Sequence, residues 1–193
     1  MEEIEQMRKK NQQLLEEKLG NVTYTGMDQW FKKAVESVDD DTSLIIASSG
    51  AFLPSWGAGW SGLIVVDTSS NTGKASFNDI TGRMGFGTSP VVVKAGSTSL
   101  PEDLVDRLLK LFERHRLRSF KDVPQKCYDG SPVTSRIRFK GEEAKASVNI
   151  GDGGAQPAMK LGRLICTVLE EIDFKEVSRY EPPEDGRFAR PWS

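Results

Sequence analysis

The sequence predicts an α+β domain with a mainly antiparallel sheet and two packed amphipathic helices. Three observations lead there. Trp60–Asp67 (Trp-Ser-Gly-Leu-Ile-Val-Val-Asp) carries four consecutive aliphatic residues between Gly-rich flanks, the mark of a strand covered on both faces. Val133–Lys140 and Ala144–Ile150 alternate apolar with polar residues around Gly141, the mark of a hairpin with one buried face. Strands follow one another without βαβ alternation, which separates α+β from α/β. The chain divides into an N-terminal helical extension (1–40), a core domain (41–173) and an extended C-terminal tail (174–193).

In chain order, Met1–Leu19 is rich in Glu, Lys, Gln and Leu and reads as a helix. Ile4, Met7, Leu14 and Leu15 share a face that Asn11 interrupts, so any coiled-coil seam is short. A second helix over Met27–Val38 follows, with Thr25 and Asp28 at capping-box spacing. Its stripe is Met27, Trp30, Phe31, Ala34, Val35 and Val38. Asp39–Asp40–Asp41 lacks the interleaved ligands and central Gly of a calcium loop and reads as a solvated turn. Strands are expected over Ser43–Ser48, Trp60–Asp67, Lys74–Asn78 and Pro90–Ala95, with a turn at Asn71–Gly73. Ser99–Leu117 reads as a helix opened by a Ser99/Glu102 capping box, with Leu104, Val105, Leu108, Leu111 and Phe112 inward. After the hairpin, Pro157 opens a last helix with the stripe Leu161, Leu164, Ile165, Val168, Leu169 and Ile172. The tail holds Phe174, Tyr180, Phe188 and Trp192, too many aromatics for a plain linker, and should run extended over the surface.

Composition narrows the function. Over 193 residues the net charge is −2, giving no basic excess for nucleic acid. No stretch approaches the ~20 apolar residues of a membrane span. The charged N-terminus has no secretory apolar core. Cys127 and Cys166 lack metal-ligand spacing and read as free thiols of a cytoplasmic protein. A single histidine, His115, excludes two-histidine metal sites, and neither a metal nor a cofactor is expected. It falls in the last turn of the Ser99–Leu117 helix, where a cation suits the dipole, and forms no convincing dyad with Cys127.

Four features compete as sites. Gly82, Gly85 and Gly87 match neither the Walker nor the dinucleotide spacing, and a strand follows them instead of a helix. Asp129 and Asp152 flank the hairpin and could form a carboxylate pair, yet each precedes Gly as turn residues do. Arg136, Arg138 and Lys145, with Lys140, would share the wet face of the hairpin, either as an anion-binding patch or as a solvated face. Phe52, Leu53 and Trp56, with Trp60, lie among glycines at Gly50–Gly59. They either fold onto the core or form an interaction surface.

A strand running into Gly50–Ala51–Phe52 precedes a strand pair. Then come the helix motif Ser99-Leu-Pro-Glu-Asp-Leu104, an Asp-led hairpin from Tyr128–Asp129 and a terminal amphipathic helix. Over Ser43–Ile172 this order resembles the emfourin family of small bacterial protein inhibitors of thermolysin-type metalloproteases. The Gly-Ala-Phe loop is longer here, and both ends of the chain lie outside the pattern. The resemblance implies an α+β fold and protease inhibition by protein contact.

Residues and resemblance together favour a non-catalytic domain that binds a protein partner, with no nucleic-acid or membrane partner. The alternatives are a small-ligand-binding or hydrolytic domain using Gly82–Gly87 and Asp129/Asp152, and a structural protein oligomerising through residues 1–19. Because the stripe of Met1–Leu19 is short and broken, deleting it should leave the thermal midpoint almost unchanged. Aggregation or unfolding of the truncated chain in a melting experiment would contradict this.

Overall fold

The aliphatic runs Leu44–Ala47 and Leu63–Val66 become neighbouring strands at the middle of one sheet. The computed structural model describes residues 26–39, 41–51, 59–81, 91–124, 132–152 and 154–180. Strand β1 (Ser43–Ala51) pairs antiparallel with β2 (Gly59–Asp67), setting Ile45 opposite Val65 and Ile46 opposite Ile64. Successive side chains of a strand point to opposite faces, so each run divides between two cores. Leu44, Ile46, Ile64 and Val66 enter one apolar cluster, and Ile45, Ala47, Leu63 and Val65 enter another.

Five more strands extend this pair: β3 (Thr72–Thr81), β4 (Val91–Ser99), β5 (Pro132–Phe139), β6 (Glu142–Asn149) and β7 (Lys175–Tyr180). The seven-stranded order is β6-β5-β1-β2-β3-β4-β7, with every ladder antiparallel. The α+β class follows. Three α-helices lie among the described residues: α1 (Met27–Ser37), α2 (Glu102–Arg114) and α3 (Pro157–Glu170). The crossovers β4–β5 and β6–β7 carry α2 and α3, and both helices join the larger cluster on one face. Leu104, Val105, Leu108, Leu111 and Phe112 are buried there, as are Leu161, Leu164, Ile165, Val168 and Ile172. On the opposite face α1 packs Phe31 and Ala34 against Ile45 and Ala47.

Several expectations shift. The Ser99/Glu102 capping box does not form: Ser99 ends β4, the Leu100 amide donates to the Gly73 carbonyl (2.8 Å), and Pro101 occupies the N-cap position of α2. His115 is not in the last turn. It follows the helix with extended backbone (φ −129°, ψ 130°). The turn before β3 spans residues 68–71, with Asn71 at φ 54°. The Asp67 carboxylate accepts from the Ser69 hydroxyl (2.6 Å) and amide (2.8 Å) and from the Ser70 amide, which holds its pKa down at about 2. The Thr25/Asp28 capping box is replaced as well: Gly26 is the N-cap residue of α1, with no side-chain cap. Met1–Leu19 and the tail beyond Tyr180 lie outside the described residues.

The domain boundaries shift as well. Residues 27–37 form a layer of the domain, because Phe31 and Ala34 have the sheet to bury against. Residues 175–180, expected in the tail, pair with β4 as an edge strand. At the other edge the chain after α2 turns back over β6: the Val123 amide donates to the Ser147 carbonyl (2.9 Å), and the Ser147 amide donates to Asp122 (2.8 Å). A covered edge cannot template further strands. Phe120 in the same segment stacks on Phe112, centroids 4.6 Å apart.

Gly62 and Gly96 are among the glycines that make room for large neighbours. A Cβ on Gly62 would meet the Phe77 ring at 2.2 Å, and one on Gly96 would meet Ile172 at 2.4 Å and the Asp173 carbonyl oxygen at 2.8 Å. Gly96→Ala is expected to cost about 1–3 kcal/mol by overpacking. Leu164→Ala, which empties a buried site beneath α3, should cost about 2–5 kcal/mol. Urea unfolding measures both, and a loss below about 0.5 kcal/mol at either position would contradict the packing described.

Candidate functional site

The two ends of the sheet are built differently. At one end β2–β3 and β5–β6 are joined by tight turns. Asn71, Lys140 and Gly141 there take positive φ (54°, 51° and 74°), as short antiparallel connections demand. The other end gathers the C-termini of β1, β3, β6 and β7 and the N-termini of β2, β4 and β5. Two longer connections start and finish there, 52–58 between β1 and β2 and 82–90 between β3 and β4, and the chain from α2 enters β5 there. The start of α1 lies at the same end, since the Ser49 hydroxyl reaches the Met27 sulfur at 3.8 Å.

On the face backed by α2 and α3, the ladder registers set one row across this end: Val133, Gly50, Trp60, Asp79, Lys94 and Glu176. The row begins apolar and becomes charged. Gly50 admits the Trp60 indole where a Cβ would come within 2.5 Å of its ring. Trp60 is 6% exposed and packs on Phe77, centroids 5.6 Å apart. Beyond it the half-buried Asp79 carboxyl is pushed above the usual carboxylate range by desolvation, with the Lys94 charge opposing the shift. Arg179 clasps Glu176 through Nε (2.9 Å) and Nη2 (2.7 Å), which lowers the Glu176 pKa. These two residues are three apart and would fall on opposite faces of a regular strand. A register shift opposite Val93/Lys94 brings both to one face.

The structure redistributes the residues singled out from sequence. Trp60 is corrected from surface to core: a ring buried between Gly50 and Phe77 offers no contact area to a partner. Phe52, Leu53 and Trp56 lie outside the described residues, as do Gly82–Gly87, Cys127 and Asp129. Asp152 falls in a short 3-10 turn (Ile150–Asp152) after β6.

The basic hairpin face is also corrected. It is not simply wet, because α1 lies along it. Arg136, its side chain 33% exposed, donates to Asp28 (3.0 Å) and sits over the Phe31 ring (4.2 Å). Arg138 donates to Glu143 at 2.7 Å, and Glu143 also meets Arg136 at 3.5 Å. Two of the three predicted anion contacts are thus engaged by carboxylates of the chain itself. Lys145, opposite Arg136 in the register, is exposed. Cys166 is half-buried, and burial first, then Glu170, pushes its thiol pKa up, away from nucleophilic thiolate.

Sequence reasoning missed the row Asp79–Lys94–Glu176 and the Arg179 clasp. Strand alternation could have placed Asp79 on the Phe77 face. Nothing local could have paired residue 94 with residue 176.

Comparison with protein-family models, with curated proteins and with solved structures finds no match.

The Asp79 environment sets a pH signature. A folded-state pKa raised above the unfolded value gives a contribution fully present below the unfolded pKa and lost as pH rises through the folded pKa. Asp79→Asn should therefore stabilise the protein at about pH 7, and the advantage should vanish by about pH 3, below the ordinary Asp value of about 3.9. Thermal midpoints of both proteins across that range check this; an advantage independent of pH would contradict it.

Proposed function

We propose that the chain is a non-catalytic protein-binding domain that meets its partner at the end of the sheet carrying the long connections. The observation that supports this is the asymmetry of the two ends. A rigid antiparallel sheet, closed by tight turns at one end, directs its longer connections to the other, an arrangement suited to recognition by residues on a fixed scaffold. The segment with Phe52, Leu53 and Trp56 runs between the ends of β1 and β2 at this position. Large apolar side chains of this kind carry most of the energy in many interfaces. The half-buried Asp79 and the Glu176–Arg179 pair add a charged margin that would favour a partner of matching pattern.

Protease inhibition is the specific activity suggested by the resemblance to emfourin, and a thermolysin-type metalloprotease is the first partner to assay. The working setting we propose is the cytoplasm, consistent with the free thiol of Cys166.

The experiment is partner capture followed by substitution at each end. Trp56→Ala should leave folding stability within about 1 kcal/mol and weaken the captured partner by about 2 kcal/mol or more. Lys140→Glu, in the tight turn at the opposite end, should leave affinity unchanged. Equal losses from both substitutions, or none from Trp56→Ala, would refute the assignment.

A further inference from the structure

The tight-turn end of the sheet holds an open recess of about 680 Å³, inside the ~300–1,000 Å³ range of small-molecule sites. The ladder registers place its parts. Val65 of β2, Lys74 of β3 and Ser99 of β4 lie opposite one another, and Asp67 with Thr72 forms the next pair on the same face. Ser70 in the turn and Glu102 at the start of α2 also line it. Half-buried Val65 and buried Leu100 supply its apolar surface.

The charged side chains lining the recess alternate in sign across it: Asp67 on β2, Lys74 on β3 and Glu102 beyond the end of β4. Exposed Lys74 and Glu102 have no hydrogen bond or ion pair among the described residues. Asp67 uses Oδ1 for the Ser69 and Ser70 bonds of the turn, and its Oδ2 accepts none among the described residues. Those bonds keep the carboxylate ionised. The frame around these charges is held by the fold. The Asn71 side-chain amide donates to Asp106 of α2 (3.1 Å), and the Leu100 amide donates to the Gly73 carbonyl (2.8 Å). The turn, the end of β4 and the start of α2 are thus tied together, and a ligand need not order them first.

A single exposed ion pair is weak, so a ligand gains most by meeting all three charges at once. The complement is cation, anion, cation. Asp67 and Lys74 are diagonal neighbours in the ladder, about 7–8 Å apart at the backbone. An ammonium and a carboxylate carried on one carbon span that gap, with a charge-assisted contact of about 2.8 Å at each end. Ser99, opposite Lys74, offers the carboxylate a hydroxyl donor. Two carboxylates against one ammonium favour a ligand of net positive charge. We propose that the recess binds a free basic amino acid, its α-ammonium on Asp67, its carboxylate on Lys74 and Ser99, and its side-chain cation on Glu102. A peptide would not serve, because its α-ammonium and carboxylate are on different carbons. This site does not depend on the protein-binding reading, and it would stand if that reading failed.

The test is a titration of the full ¹⁵N-labelled chain with L-lysine at constant ionic strength. The backbone amide resonances of Ser70, Thr72, Lys74 and Ser99 should move saturably, with a half-point on the order of millimolar. Three analogues each lack one charge: L-leucine the side-chain cation, Nα-acetyl-lysine the α-ammonium and lysine amide the carboxylate. Each should bind at least about tenfold more weakly. Lys74→Gln should weaken lysine at least about tenfold and leave the melting temperature unchanged, as an exposed substitution does. Glu102→Gln should lower lysine to the affinity of leucine without altering leucine itself. Absence of a saturable shift up to about 100 mM lysine, a hundredfold above that half-point, would overturn the proposal. So would an analogue that matches lysine, or an unchanged lysine response in both variants.

Discussion

The pairing of β1 with β2 is the constraint on which the other elements depend. Leu44–Ala47 are all almost fully buried, so this strand has no face toward water. A backbone buried in that way must satisfy its amides and carbonyls within the sheet, on both edges. β5 completes the ladder on one side of β1, and β2 with β3 completes it on the other. Both faces must then be covered as well. α2 and α3 cover one and α1 packs on the other, which is why a helix that composition would place outside the domain is a layer of it.

Large rings and absent side chains fix how the strands sit side by side. Trp60 lies over Gly50 and Phe77 over Gly62, so a ring on one strand fills the space that a neighbouring Cβ would take. The two rings meet each other, centroids 5.6 Å apart. A one-residue slip would turn each ring to the other face of the sheet and break the match. The same register carries the charged row at the end of the sheet, so packing and electrostatics there are set by one ladder. Asp79, opposite Trp60 in that ladder, is half-buried, and desolvation raises its pKa against the opposing Lys94 charge.

The two ends of the sheet divide the work. Tight turns with positive φ hold one end in register. The other end is where the strands open into their longer connections, with the start of α1 beside it. In the protein-binding reading proposed above, that separation would let the stable part of the ladder stay fixed when a partner engages the other end.

Much of this architecture was legible in the chain. Period two over Val133–Lys140, period 3.6 over Leu104–Phe112 and Leu161–Ile172, and the aliphatic run at Leu63–Val66 are local patterns, and local patterns determine which residues are buried. They identified the α+β class, the hairpin and both stripes of the main core. They could not identify what covers each face, because burial partners lie far away in sequence. Arg136 looked like a wet cation until α1 brought Asp28 and Phe31 to it from residues 28 and 31. Trp60 looked like a surface aromatic until Gly50 and Phe77 enclosed it. Lys175–Tyr180 looked like tail, because a short edge strand has little pattern of its own and forms only when β4 offers an unpaired edge. Sequence determined the elements with a strong pattern of their own, since propensity and periodicity act within a few residues. Tertiary structure alone decided the charged row, the engaged arginines and the burial of Asn78, since each depends on contacts between elements distant in the chain.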